Sequence, residues 1–206
     1  MSFSLESGTA LVVTGPNGVG KSSLLRTLAG LVAIAEGSLT LEGGDGERGL
    51  SEYCHYFGHQ SAVKPALSVR ENLAFWRDFA APAVSPAFAV RAFKPLEILE
   101  MLGIGHTASL PAAYLSAGQT RRLALARLFV SPRPLWLMDE PTSALDAASE
   151  RQLFGMMNDH LKAGGMIVTA THTPLEITPI RTLELRQLSA EEIAPLDAGA
   201  SGEGHP

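Results

Sequence analysis

Cysteine is nearly absent from this chain: Cys54 is the only one in 206 residues. An internal disulfide is therefore excluded, and a reducing compartment such as the cytoplasm fits the composition. Charge is sparse as well, at 18% of residues against 46% hydrophobic, and 16 Lys and Arg against 21 Asp and Glu leave a net −5. An acidic chain with scattered basic residues lacks the electrostatic footprint of a nucleic-acid binder, so no nucleic acid is expected as a partner. Long hydrophobic runs are missing too. Residues 102–120 carry no Asp, Glu, Lys or Arg, but their three glycines and Pro111 make them too polar to span a bilayer. The opening MSFSLE has no basic stretch leading into an apolar one and does not read as a secretory signal. Any membrane role is expected to come through another subunit. The excess of apolar over charged residues implies surface covered by a partner. The length suits one α/β domain with a small insert, not two full domains.

What is present is a loop built for phosphate. GPNGVGKSS, residues 15–23, fills the pattern Gly, four residues, Gly, Lys, Ser. It comes after an apolar run at 9–13 and precedes Leu24, Leu25, Leu28 and Leu31 at helical spacing, with Gly30 as a stop signal. Gly15, Gly18 and Gly20 let the backbone turn so that successive N–H groups face a polyphosphate, and the helix after them adds its N-terminal dipole. Pro16, Asn17, Val19 and Ser23 complete the candidate nucleotide-binding set. Lys21 supplies a cation for the β- and γ-phosphates, and the Ser22 hydroxyl can complete a magnesium shell.

Along the rest of the chain, residues 2–5 alternate weakly as a short strand, 38–41 as an exposed strand, and 53–57 as a strand running toward Gln60. Val69, Leu73 and Trp76 predict a helix over 68–79; residues 80–86 break it, and 88–102 resume it around Pro95. A further helix spans 118–129, so residues 62–130 read as a mostly helical insert. Residues 135–138 form a buried strand, Asp146 caps a helix running to Lys162, and Gly164 and Gly165 close it. Residues 166–171 give a third apolar strand, 180–186 an edge strand, and 187–206 a flexible tail behind a single domain over 1–186.

Each apolar strand leads directly into residues suited to phosphate chemistry: Gly15, the pair Asp139 and Glu140, and His172. In a parallel sheet these strand ends converge. Asp139 is placed to hold magnesium through a bound water, and Glu140 to act as general base on the attacking water. His172 can contact the γ-phosphate or hold that water. Gln60, a neutral amide on a movable loop, can ligate magnesium and touch water.

The run LSAGQ at 115–119, continuing into TRRLALAR, resembles the signature motif of the ABC ATPases, with Ala117 where Gly is more usual, and the resemblance spans residues from about 2 to 186. It implies an α/β fold of the P-loop NTPase, ABC ATPase type, with a mostly parallel core sheet, a helical subdomain and a shortened N-terminal β part. Ser116 and the backbone near Gly118 form a second anion site at a helix start. The resemblance places that site against the γ-phosphate held by a second subunit, so that two chains close head to tail on two ATP molecules, with Asp146 in the loop crossing the interface. Family members carry further strands and an adenine-stacking aromatic before the loop; Phe3 is too near the loop for that role, and weaker ATP binding is expected.

A narrower resemblance, over residues 58–73, 115–119 and 165–172, is to ATP-binding subunits of haem export in cytochrome c maturation. It implies a peripheral protein on the cytoplasmic side of the bacterial inner membrane that frees a haem chaperone from integral membrane partners. Cys54, His55 and His59 invite a haem-ligand reading, but no Cys-x-x-Cys-His is present and strand packing is the expectation, so no direct haem ligation is expected. The alternatives are the ATPase of another ABC transporter, a soluble ABC protein acting on nucleic acid or ribosomes, and a nucleotide-binding regulatory subunit.

Overall fold

The apolar runs become strands because both of their faces are covered. In the computed structural model, which describes residues 2–44, 48–79 and 92–187, five parallel strands form one sheet in the order β2-β3-β4-β1-β5. They are β1 (Ala10–Thr14), β2 (Cys54–Phe57), β3 (Leu135–Asp139), β4 (Met166–Ala170) and β5 (Ile180–Glu184). Along β3 the pleat divides the side chains: Leu135 and Leu137 join one apolar cluster, Trp136 and Met138 the other. The first cluster is closed by α1 (Lys21–Leu28) through Leu25 and Leu28. The second is closed by α2 (Val69–Phe79), α3 (Pro95–Met101), α4 (Ala117–Val130) and α5 (Ala147–Lys162). Strand β5, largely exposed, forms the expected edge beside β1.

Local chemistry sets the helix starts. Ser116 and Gln119 form a reciprocal capping box at α4, and the Asp146 carboxylate accepts from the Ser149 N–H at 2.8 Å to begin α5. Helix α3 departs from the expected 88–102 span: Pro95 is its first residue, and Lys94 before it is extended at ψ 146°. A proline lacks the N–H to continue a helix and drives its predecessor out of the helical region, so Pro95 starts this helix. Residues 88–91, the 80–86 break and the tail from 188 lie outside the described residues.

The strands expected at 2–5 and 38–41 do not form. Leu39 and Leu41 do turn inward as their alternation implies, but patterning without a neighbouring ladder does not make a strand. The two segments instead line one cleft of about 520 Å³, together with Leu28, Leu135 and Met166. Leu135 and Met166 begin their strands, so Phe3, which also lines this cleft, stands at the end of the sheet opposite the phosphate loop.

Two buried histidines lie between β2, β3 and α5. The His160 ring stacks on Trp136 with centroids 3.9 Å apart and points Nε2 between the carbonyls of Pro134 and Met166 at 3.2 and 3.3 Å. Any Cβ at Gly165 would strike that ring, which is why glycine is required there. His55 Nε2 donates to the Ser131 carbonyl. Burial pushes His55 down to about 3, with Arg127 reinforcing it, and His160 down to about 4. Cys54, also buried, has its thiol pushed up to about 11 by desolvation.

Candidate nucleotide site

The loop between β1 and α1 owes its shape to its glycines. Gly15 has φ 135°, and a side chain there would run into the Leu185 carbonyl just after β5. Lys21 opens α1 and is 9% exposed; its Nζ donates to the Gly15 carbonyl at 2.7 Å and the Pro16 carbonyl at 3.0 Å. These bonds hold the ammonium inside the curl of its own loop. Ser22 and Ser23 come next in the first turn, the former half-buried, while Asn17 and Gly18 stand exposed at the tip beside Val19 and Gly20.

The ends of β3 and β4 meet this loop. Asp139, half-buried, is the last residue of β3 and pairs in register with Ala170 of β4. Glu140 is next, with φ 47°, a left-handed conformation that a non-glycine residue rarely adopts. Its N–H donates to the Ala170 carbonyl at 2.8 Å, its own carbonyl accepts from Arg121 Nη2 at 2.7 Å, and its Oε2 accepts from the Thr171 hydroxyl at 3.1 Å. The other oxygen, Oε1, lies 3.9 Å from His172 Nε2, which in turn meets Asn17 Oδ1 at 3.0 Å. A chain of side chains thus runs from Glu140 through His172 to the tip of the phosphate loop. Gln60 is exposed in the turn after β2, where Arg121 Nη1 donates to the Gly58 carbonyl at 2.8 Å.

Ser116, Gly118 and Asp146 form a second group. Ser116 is exposed at the start of α4, and Gly118 lies near the Ala144 carbonyl. Arg122 Nη2 pairs with Asp146 Oδ2 at 3.0 Å, tying the starts of α4 and α5 together. Hydrogen bonds from Ser149, backbone first, hold the exposed Asp146 carboxyl below the usual carboxylate range, with Arg122 adding to them. Residues that sequence reasoning missed are Thr171 and Arg121. A threonine at a strand end reads as a β-former, and an arginine in the run Thr120, Arg121, Arg122 reads as part of a solvated face; neither carries a signal of its own. Asn72 was also missed: 2% exposed, its amide accepts from Lys64 N–H at 2.7 Å and donates to the carbonyls of Lys64 and Ser68, both at 3.0 Å, latching the loop after Gln60 onto α2.

The sequence profile described as ABC transporter matches residues 1–143. The chain belongs to the ABC transporter family. As a member it is an ATP-hydrolysing transporter subunit, and ATP is its nucleotide. A relative named cytochrome c biogenesis ATP-binding export protein CcmA, from Nitrobacter winogradskyi, is 56% identical over 172 residues, covering 84% of this chain and 82% of the relative. A protein of the same name from Brucella abortus is 45% identical over 203 residues, covering 94% and 91%. Among solved structures, a dimeric ATP-binding cassette in a post-hydrolysis state with ADP and phosphate superposes with a TM-score of 0.71 at 23% identity, over 90% of this chain and 86% of that one. The fold is therefore that of an ABC cassette, and cassettes of this family form dimers. No described helix of this ABC chain is long and apolar enough to cross a membrane.

Proposed function

We propose that this chain is the ATP-hydrolysing subunit of a haem-export complex of cytochrome c biogenesis. It works as a homodimer docked on integral membrane subunits at the cytoplasmic face of a bacterial inner membrane, where hydrolysis frees a haem chaperone. The observation that carries this reading is identity of 45–56% to proteins of that name over most of both lengths, joined to a strand-end cluster suited to phosphoryl transfer.

The residues divide the work. Residues 15–23 wrap the phosphates, and Lys21, already aimed into the loop, exchanges two neutral carbonyls for anionic phosphate oxygens, which are stronger acceptors. Glu140 takes the proton of the attacking water: Thr171 occupies Oε2 and leaves Oε1 for it. His172, braced by Asn17, is placed between that carboxylate and the phosphate loop. Ser116 and Gly118 of one subunit cover the γ-phosphate of the other, with Asp146 at the shared seam.

Magnesium fits the donors present. Ser22, Asp139 and Gln60 offer hard oxygens, and among the described residues no cluster of three His, Cys, Asp or Glu could hold a metal by itself. A small cation carried in on phosphates needs few protein ligands. When bound, it neutralises phosphate charge. The part of the chain that carries α2, α3 and α4 serves as the arm that reports nucleotide state to the membrane subunits. Its contact surface is the loop 62–66 with the exposed end of α2, where Phe75 stacks on Phe79 and Lys64 lies 4.5 Å above the Phe75 ring.

Haem staining of c-type cytochromes in a strain lacking the chain tests the reading. The stained bands are expected to vanish, to return with the wild-type chain and to stay absent with Glu140→Gln. Normal cytochromes in the deletion strain would overturn the haem assignment.

A further inference from the structure

Arg121 is 6% exposed on α4, yet both of its hydrogen-bond acceptors are neutral main-chain carbonyls: Gly58 O at 2.8 Å from Nη1 and Glu140 O at 2.7 Å from Nη2. Its Cζ stands 3.9 Å over the Phe57 ring. Burying a cation against carbonyls alone is costly. Desolvation lowers its pKa to about 10, and the nearby Asp139 charge works in the opposite direction.

The two acceptors belong to different loops at the same end of the sheet. One is the turn that leads to Gln60; the other is the peptide of Glu140, whose backbone sits at φ 47°. Such a conformation persists only where its surroundings over-determine it. Glu140 is held by its N–H on Ala170, its carboxylate on Thr171 and its carbonyl on Arg121. The last of these anchors reaches to the helix that Ser116 opens.

We propose that Arg121 is a positioning residue for ATP hydrolysis: it registers the Glu140 carboxylate and the Gln60 turn against α4, so that both move with the helix whose start meets the partner subunit's nucleotide. The inference rests on Glu140 being the base. A planar guanidinium can bridge two carbonyls while stacked on a ring, whereas the ammonium of lysine is a point donor that cannot do both.

The test uses the full chain purified with the membrane subunits that accompany it. It compares kcat, KM for ATP, nucleotide Kd and thermal midpoint for wild type, Arg121→Lys, Glu140→Gln and the double variant. Arg121→Lys is expected to lower kcat about 10- to 100-fold, as misplacement of a reacting group does, with KM and Kd within about twofold. The double variant is expected to be slower than Glu140→Gln by far less than Arg121→Lys slows wild type, because Arg121 acts chiefly through Glu140. If Arg121→Lys does not fold, Arg121→Gln carries the same expectations. A folded variant with kcat within twofold of wild type overturns the inference, as do losses that multiply in the double variant or a rise in Kd and a fall in thermal midpoint that parallel the loss of kcat. A wild-type rate indifferent to Glu140→Gln instead overturns the assignment of the base, and this inference with it.

Discussion

Replacing Glu140 with Gln is expected to lower steady-state phosphate release by about 10²- to 10⁴-fold, the range that a positioned general base contributes. ATP binding should stay within about twofold. The substitution is nearly isosteric: the amide oxygen can still accept from the Thr171 hydroxyl, and the backbone bonds to Ala170 and Arg121 are untouched. Only the basicity at Oε1 is lost. The loss therefore belongs in kcat, not in KM, because the carboxylate is proposed to act when water is deprotonated and not when nucleotide enters. Phosphate release under saturating ATP, with binding measured separately, reads both. A rate within threefold of wild type would remove Glu140 from the reaction and favour a regulatory nucleotide-binding role.

Acid should unfold this protein unusually early, and the two buried histidines are the reason. Both are held neutral, His55 at about 3 and His160 at about 4, against about 6.5 in an unfolded chain. Between those values the unfolded state binds more protons than the folded one, so stability rises with pH across the window. It is fully present above about pH 6.5 and is lost as pH falls toward 4 and then 3. At about pH 5.5 the pair together costs about 3 kcal/mol, from about 1.4 kcal/mol per pH unit per group. Chemical denaturation at pH 7.5 and 5.5 reads this as a lower midpoint in acid. His160→Gln, which can keep a donor toward the Pro134 and Met166 carbonyls, should roughly halve the pH dependence. A pH response unchanged in that variant would remove His160 as a source.

The strands at 10–14, 135–139 and 166–170 were legible because each is covered on both faces and is written as a continuous apolar run. Their shared end was legible from the phosphate-suited residues just beyond each of them: Gly15, Glu140 and His172. The sheet order was not: nothing in a strand's own residues says that β4 lies between β3 and β1, since that order is decided by which helix covers which face. Alternation at 38–41 misled because period-two patterning describes a pleated face and is silent on whether a partner strand stands beside it. In the site, residue types were readable and supports were not. The left-handed backbone of Glu140 carries none of the usual Gly or Asn signals, and its fixings come from Thr171 and Arg121, which are remote in sequence and ordinary in type. Arg127 escaped for the same reason: it reads as a helix-face charge, yet it is buried, donates to the Tyr56 carbonyl and lies 4.7 Å from the Trp76 ring.

ATP hydrolysis by this chain is proposed to serve membrane subunits that handle haem. The most direct test is capture from native membranes with Glu140→Gln in ATP and magnesium, where blocked hydrolysis is expected to hold the proposed dimer closed on its partners. The expected result is integral membrane proteins together with a haem chaperone, and a haem absorption band that is present with ATP and lost with ADP. Recovery of the membrane subunits of a different transporter, with no haem absorption, would contradict it.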